Sequence, residues 1–457
     1  MTDQVELQQT VSRFAAELDV PGVSVGVVMS DEDHVACHGV TSIEDPLAVD
    51  STTLFQIGST GKTYTATAIM RLVEQGKIDL GATVRTYVPE LKLKDESVAR
   101  DVTVLHLLNH SAGWDGDLFK ETGDGDDALD RYVALMADIE QISPLGETVS
   151  YNNASLALAG LVIERVTGTS YEQAVQDLVL EPLGLQRSMF AMRWIMTYRF
   201  SNGHRKLQDG TVEVTRPWDM GRYGAPMGGM ASDVRDQLKW ARFHMGDGTA
   251  PDGSRFLSEA TMRRMQTPTI ESPGTALGVA VGISWLLRDV EGVQVVAHGG
   301  DTTGQHSIFE MVPERRFAIT SLTNCGPNGS EFNELISRWA FEAYLGITIT
   351  DPEPVHLDAD ALAEYAGHYE TIAAELDLVP DDGLLMATAT IKPEVLAELN
   401  EPPSDEPPIP LGLLPGDGDR YIVPDGPAKG MKGYFTRGED GLINGVHVGG
   451  RHANKVR

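Results

Sequence analysis

The stretch Phe55 to Tyr64, FQIGSTGKTY, constrains this 457-residue chain most, because it carries two chemistries that demand different folds. Gly61-Lys62-Thr63 has the form of the end of a phosphate-binding loop. That loop begins with a glycine five residues before its second one, at a position occupied here by Gln56. It also follows a buried strand, whereas Ser51 to Leu54 is polar and poor in strand formers, and no clear strand ends in a second phosphate-site aspartate. The competing pattern is Ser59-x-x-Lys62. On a helix, three residues make about one turn, so Lys62 lies beside the Ser59 hydroxyl. A serine hydroxyl is a weak nucleophile until a base activates it, and a helix N-terminus favours the negative charge that develops.

The surrounding pattern supports a helix there. Ala66, Ile69, Met70 and Val73 recur at helical spacing, and Gly76 stands where a C-terminal glycine would. Two further motifs follow at long intervals. Tyr151-Asn152-Asn153 precedes an apolar run, Ala154 to Val166, that reads as a buried helix, and His298-Gly299-Gly300 follows the apolar strand Val293 to Ala297. Pro21 to Met29 reads as a buried strand with His34 to Val40 as its hairpin partner. Leu277 to Leu287, Ser307 to Val312 and Phe317 to Thr323 read as further strands, and Glu331 to Leu345 as a helix. Asp351 to Val355, DPEPV, has linker chemistry. Beyond it, short apolar stretches at Leu376 to Val379, Leu384 to Thr388 and Tyr421 to Val423 alternate with Gly, Pro and Asp, as in a small antiparallel β domain. Pro402 to Pro415 reads as an extended proline-rich loop.

Composition limits the partners. The net charge of −31 repels DNA, RNA and anionic lipid. It fits a surface tuned for high salt, or simply an acidic enzyme. Cys37 and Cys325 are too few for a disulfide framework and favour a reducing compartment. The N-terminus lacks the basic start and apolar run of a signal peptide, and runs such as Ala154 to Ile163 are too short to cross a bilayer. The expectation is a cytoplasmic protein with no membrane or nucleic-acid partner, and self-assembly into a homo-oligomer is left open.

The order Ser-x-x-Lys, Tyr-x-Asn, His-x-Gly resembles the serine β-lactamase and penicillin-binding-protein superfamily, in its branch of class C β-lactamases, DD-peptidases, D-aminopeptidases and family VIII esterases. Thr53 to Gly58, Leu107 to Gly113 (LLNHSAG) and Pro226 to Met230 (PMGGM) are similar to phrases of that branch, over roughly Val20 to Leu345. Glu364 to Tyr369, EYAGHY, is similar to the lipocalin-like tail of some members. The resemblance implies an α+β fold: an antiparallel sheet flanked by helices with a helical subdomain, over residues 1–351, then a lipocalin-like antiparallel β-barrel over 352–457.

It also implies roles. Ser59 would be acylated, while Lys62 and Tyr151 would share the proton work, Tyr151 as a phenolate held by Lys62 and nearby cations. Asn153 would orient Lys62 and the substrate, with helix capping as its plainer alternative. His298 stands where penicillin-interactive members carry Lys-Thr-Gly, which weakens a carboxylate anchor and the β-lactam reading. Gly299 and Gly300 would admit substrate to the strand edge, and the backbone N–H groups of Ser59 and Asp301 would form the oxyanion pocket. No metal or organic cofactor is implied. His106 and His110 are spaced for a helical metal site, but Leu107 breaks the zincin pattern. Trp114, Trp194, Tyr198, Arg222 and Tyr223 are candidates either for pocket lining or for ordinary packing.

The function expected is ester or amide hydrolysis of a small molecule through an acyl-Ser59 intermediate, as an esterase or small-peptide hydrolase. The alternatives are an acyltransferase, a β-lactamase or DD-peptidase, or an inactive binding protein on the same fold. The complete set of Ser59, Lys62 and Tyr151 argues against the last of these.

Overall fold

The structure is a computed structural model that describes residues 4–218, 220–399, 407–416, 418–426 and 428–456. Its centre is an eight-stranded antiparallel sheet. Across it the order is Glu32–Gly39, Gly22–Met29, Phe317–Thr323, Gln305–Val312, Val293–Thr302, Leu286–Val290, Gly278–Val281 and Ile270–Thr275. The chain's first hairpin therefore pairs with one of its last long strands, Val23 opposite Thr323 and Met29 opposite Phe317. Seven residues of Gly22–Met29 and all of Phe317–Thr323 are buried, which explains why these strands read as continuous apolar runs.

Helices cover both faces. Gln4–Glu17 and Asn328–Ala340 bring Leu7, Val11, Phe332 and Ile336 onto Val25, Val27 and Ile319. On the other face, Val234–Met245 joins a larger core with Lys62–Glu74 and Asn153–Thr167. Residues Asn153 to Ile163 are all buried, as expected for a helix apolar on every side. Asn152 caps it by accepting the Ser155 N–H at 2.8 Å.

A closed barrel of eight strands follows, beginning at Gly367–Glu370 and ending at Arg451–Lys455, which pair through Tyr369 with Lys455 and Glu370 with Asn454. Tyr369, Tyr421, Phe435 and Val446 fill it.

Three expectations change. Leu277 to Leu287 is two strands, because the chain turns back where the Gly282 N–H donates to the Trp285 carbonyl at 2.8 Å. The strand with His298 runs on through Thr302, so His298-Gly299-Gly300 lies within it rather than after it. Within Pro402 to Pro415, Ile409–Leu413 is a barrel strand, not loop, since Leu411 and Leu413 supply inward apolar positions; residues 402–406 fall outside the described residues.

Candidate active site

Ser59 sits on a 3₁₀ turn, Gly58–Gly61, that leads directly into the helix Lys62–Glu74. Just before it, Phe55–Gln56 is a short strand whose Gln56 N–H donates to Gln305 Oε1 at 3.1 Å. The position that breaks the phosphate-loop pattern is thus a strand residue tied to the sheet. Ser307 Oγ donates to the Ile57 carbonyl at 2.8 Å and lies 2.9 Å from Thr60 Oγ1. The turn is clamped to the sheet on both sides of Ser59.

Gly300 makes that clamp possible. A Cβ there would collide with the Ile57 carbonyl oxygen and stand 2.6 Å from Ser59 N, while one at Gly58 would stand 2.6 Å from Asp301 N. Both N–H groups named for an oxyanion pocket, those of Ser59 and Asp301, fall along this seam. Gly300 is therefore required by the backbone of the turn. At Gly299 a Cβ would meet only the Ser307 carbonyl oxygen, at 3.4 Å.

Lys62 is fully buried. Its Nζ lies 2.8 Å from Ser59 Oγ and donates to the Met227 carbonyl at 2.6 Å, so one turn of helix delivers the amine to the hydroxyl. Burial pushes the Lys62 amine well below its usual value, and the charge of Arg451 pushes the same way. Lys62 Nζ lies 4.8 Å from the centre of the Tyr151 ring. Burial raises the Tyr151 phenol, against the opposing effects of a hydrogen bond with Ser59 and the charge of Arg451. The sequence reading has Tyr151 as a phenolate; burial instead favours a neutral phenol beside a neutral amine.

His298 is also held neutral, pushed down to about 3 by burial, with nearby Lys62 adding to the effect. Its Nδ1 lies 2.6 Å from the Gly299 carbonyl oxygen, which fixes Nδ1 as the protonated nitrogen. Its Nε2 is buried with no partner among the described residues. The rings of His298 and Tyr151 are 6.2 Å apart. Asn153 points elsewhere than expected. Its amide donates to Asp117 Oδ1 at 2.8 Å, and the capping role falls to Asn152.

Three residues stand at the site in ways the sequence did not indicate. His110, with φ at +60°, sets its ring 4.5 Å from that of Tyr151, tilted by 32°, and its Nδ1 accepts the Asn152 N–H at 3.1 Å. His106 instead closes the capping box of the helix Val104–Leu108, so the two histidines do not share a metal-binding helix face. Asp117 is buried and pairs with Arg451, the third, which the barrel's last hairpin carries into the site. The guanidinium carbon of Arg451 lies 5.1 Å from the centre of the Tyr151 ring. The hairpin also grips the strand of chain bearing Tyr151. The Tyr151 N–H donates to the Gly450 carbonyl at 2.8 Å, the His452 N–H donates to Ser150 Oγ at 3.2 Å, and His447 Nε2 lies 2.7 Å from the Val149 carbonyl oxygen. A hairpin tip reading Gly449-Gly450-Arg451 was the only signal, and nothing local says where it docks.

The aromatic candidates divide. Trp194 and Arg222 line a cavity of about 630 Å³ that includes Gln56 and Gly229 but not Ser59. Trp114 is buried and donates to Asn152 Oδ1, Tyr223 stacks on Tyr132, and Tyr198 packs under the Arg187 guanidinium. No helix among the described residues is long and apolar enough to cross a membrane.

A serine on a 3₁₀ turn before a buried helix, with lysine one turn on and a tyrosine facing both, is set on an antiparallel sheet between helical layers. A family model described as Beta-lactamase matches residues 7–343, and the chain belongs to that family. Penicillin-binding protein 4 of Amycolatopsis lactamdurans is 33% identical over 376 residues, covering 80% of this chain and 98% of that protein. Among solved structures, SurE, also solved with D-Leu, aligns over 99% of both chains with a TM-score of 0.76 at 20% identity. A class C β-lactamase from Rhodobacter sphaeroides aligns over 73% of this chain and 97% of its own with a TM-score of 0.59 at 23% identity. At these identities the structural likenesses concern the fold.

Proposed function

We propose that the protein is a serine hydrolase that cleaves an ester or small amide through an acyl-Ser59 intermediate. The observation that carries this reading is a fully buried Lys62 amine 2.8 Å from Ser59 Oγ. A neutral amine accepts the Ser59 proton as Oγ attacks the substrate carbonyl, and the N–H groups of Ser59 and Asp301 receive the oxyanion. The tetrahedral intermediate then expels its alcohol or amine, which takes a proton from Lys62 through the Tyr151 hydroxyl. The same groups, in reverse, activate a water that breaks the Ser59 ester and releases the acid. His298 completes the site as an orienting group, and Asn153 acts one step back by fixing Asp117. No metal or cofactor enters these steps.

His298 favours an ester or amide over a β-lactam. Held neutral by burial, it offers no fixed cation at the position from which penicillin-interactive members use lysine. Transfer to an amine is a second route, since any nucleophile that reaches the acyl-Ser59 carbonyl resolves it; the presence of D-Leu in a SurE structure suggests D-amino acids as acceptors to try.

A panel of nitrophenyl esters, D- and L-aminoacyl amides and a chromogenic cephalosporin, with and without D-leucine, tests the substrate class. Esters or amides are expected to turn over at least about tenfold faster than the cephalosporin, the scale on which a modest difference in contacts separates substrates. A faster cephalosporin would overturn the preference. An acyl–D-leucine product in place of free acid would assign the transfer reaction.

A further inference from the structure

We propose that Arg451, delivered by the barrel, is an electrostatic positioning residue of the Ser59 centre, whose charge governs where the proton shared by Lys62 and Tyr151 resides. The proposal rests on the acyl-serine reading of the site and gives the second domain a part in it. Arg451 reaches Tyr151 from a different domain, with its guanidinium carbon 5.1 Å from the ring centre, while Lys62 Nζ approaches the same ring to 4.8 Å. One phenol thus lies within reach of both the Lys62 amine and the Arg451 guanidinium.

The guanidinium is built into place. Its Nε and Nη2 donate to the Asp117 carboxylate, Nη2 at 3.2 Å from Oδ1, and its Nη1 donates to the Gly449 carbonyl at 3.1 Å. Asp117 is itself fixed by the amide of Asn153. Around Lys62 and Tyr151 the other titratable groups are His298 and Asp301 from the central strand, His110 from the loop after Val104–Leu108, and Asp117. On the hairpin itself, His447 and His452 flank Arg451. Burial keeps His110, His298, His447 and His452 neutral. Asp301, whose side chain is exposed, is held below its usual value by a bond from His306. After burial, the charge of Arg451 is the influence that lowers the Lys62 amine, and the same charge opposes the rise of the Tyr151 phenol.

The sign follows from charge. The protonated forms of both the amine and the phenol are one unit more positive than the deprotonated forms, so a neighbouring cation lowers both pKa values. Removing it raises both, whichever group acts as the base. The charge is not otherwise needed to hold Ser59, which the sheet clamps through Ser307 and Gly300.

The test is the pH profile of kcat/KM for a nitrophenyl ester on the full chain. Arg451→Gln is expected to move both limbs to higher pH by about one unit, the scale of a single charge at this range. Arg451→Lys, which keeps the charge, is expected to leave the limbs within about a third of that displacement. Asp117→Asn, which frees the Arg451 charge, is expected to move them to lower pH. If Arg451→Gln lowers the rate equally at every pH with the limbs fixed, Arg451 is only a clamp and the proposal fails. Should Arg451→Gln not fold, Arg451→Met decides by the same profile, and limbs that stay or move to lower pH overturn it. Ser59 labelling by a fluorophosphonate, run alongside, separates the two levels. A labelled Ser59 with immobile limbs refutes only the role of Arg451, whereas an unlabelled Ser59 refutes the acyl-serine reading.

Discussion

Replacing Lys62 by methionine is expected to reduce kcat/KM for an ester substrate by about a thousandfold, within the range of losses for a general base. The same substitution should leave the melting temperature unchanged or higher. The two effects share a cause. Burial of an amine with no exposure pushes its pKa well down at a cost in solvation, which makes it a better base and a costly occupant of the core at once. Methionine has a similar length, fills the same channel beside Tyr151 and carries no charge to desolvate. The Met227 carbonyl loses a donor, a penalty of about 1 kcal/mol that offsets part of the gain. Thermal melts and ester kinetics on the two proteins check this. A variant with parental turnover would remove Lys62 from the chemistry. A large fall in melting temperature would show that the amine supports the fold instead.

Gly300→Ala is expected to cost both stability and rate. Its Cβ would overlap the Ile57 carbonyl oxygen and press on Ser59 N, and both are backbone atoms that cannot swing aside. Overpacking of this kind destabilises by about 1–3 kcal/mol. The turn must move, and displacing a nucleophile by about 1 Å costs about a hundredfold in kcat. Gly299→Ala is the control one residue away, where a Cβ meets only the Ser307 carbonyl oxygen at 3.4 Å. Its melting temperature should match the parent's. Equal melting temperatures for both variants would contradict the seam between the central strand and the Ser59 turn.

Why some of this was legible in the sequence and some was not has a physical basis. Local periodicity carries what neighbours along the chain determine. The helix Lys62–Glu74, the buried helix from Asn153 and the strand Phe317–Thr323 all follow from burial on one or both faces, and Ser59 and Lys62 are brought together by a single turn. Three-dimensional neighbours leave a weaker trace. The seam at Gly300 depends on how closely two backbones approach, which a glycine permits but does not specify. The protonation of Tyr151 depends on burial and on a charge from residue 451, 300 positions away in sequence. Asn153 read as an orienting group for Lys62, yet its amide goes to Asp117, a partner 36 positions earlier that nothing in the local sequence indicates. Arg451 had no local signature beyond a glycine-rich tip, because its meaning comes from where the barrel docks.

The central claim is that Ser59 is a nucleophile activated by Lys62, and intact mass after exposure to a fluorophosphonate probe tests it most directly. The account expects one adduct on the parent protein, none on Ser59→Ala, and strongly slowed labelling on Lys62→Met. Labelling of Ser59→Ala at the parental rate would contradict it.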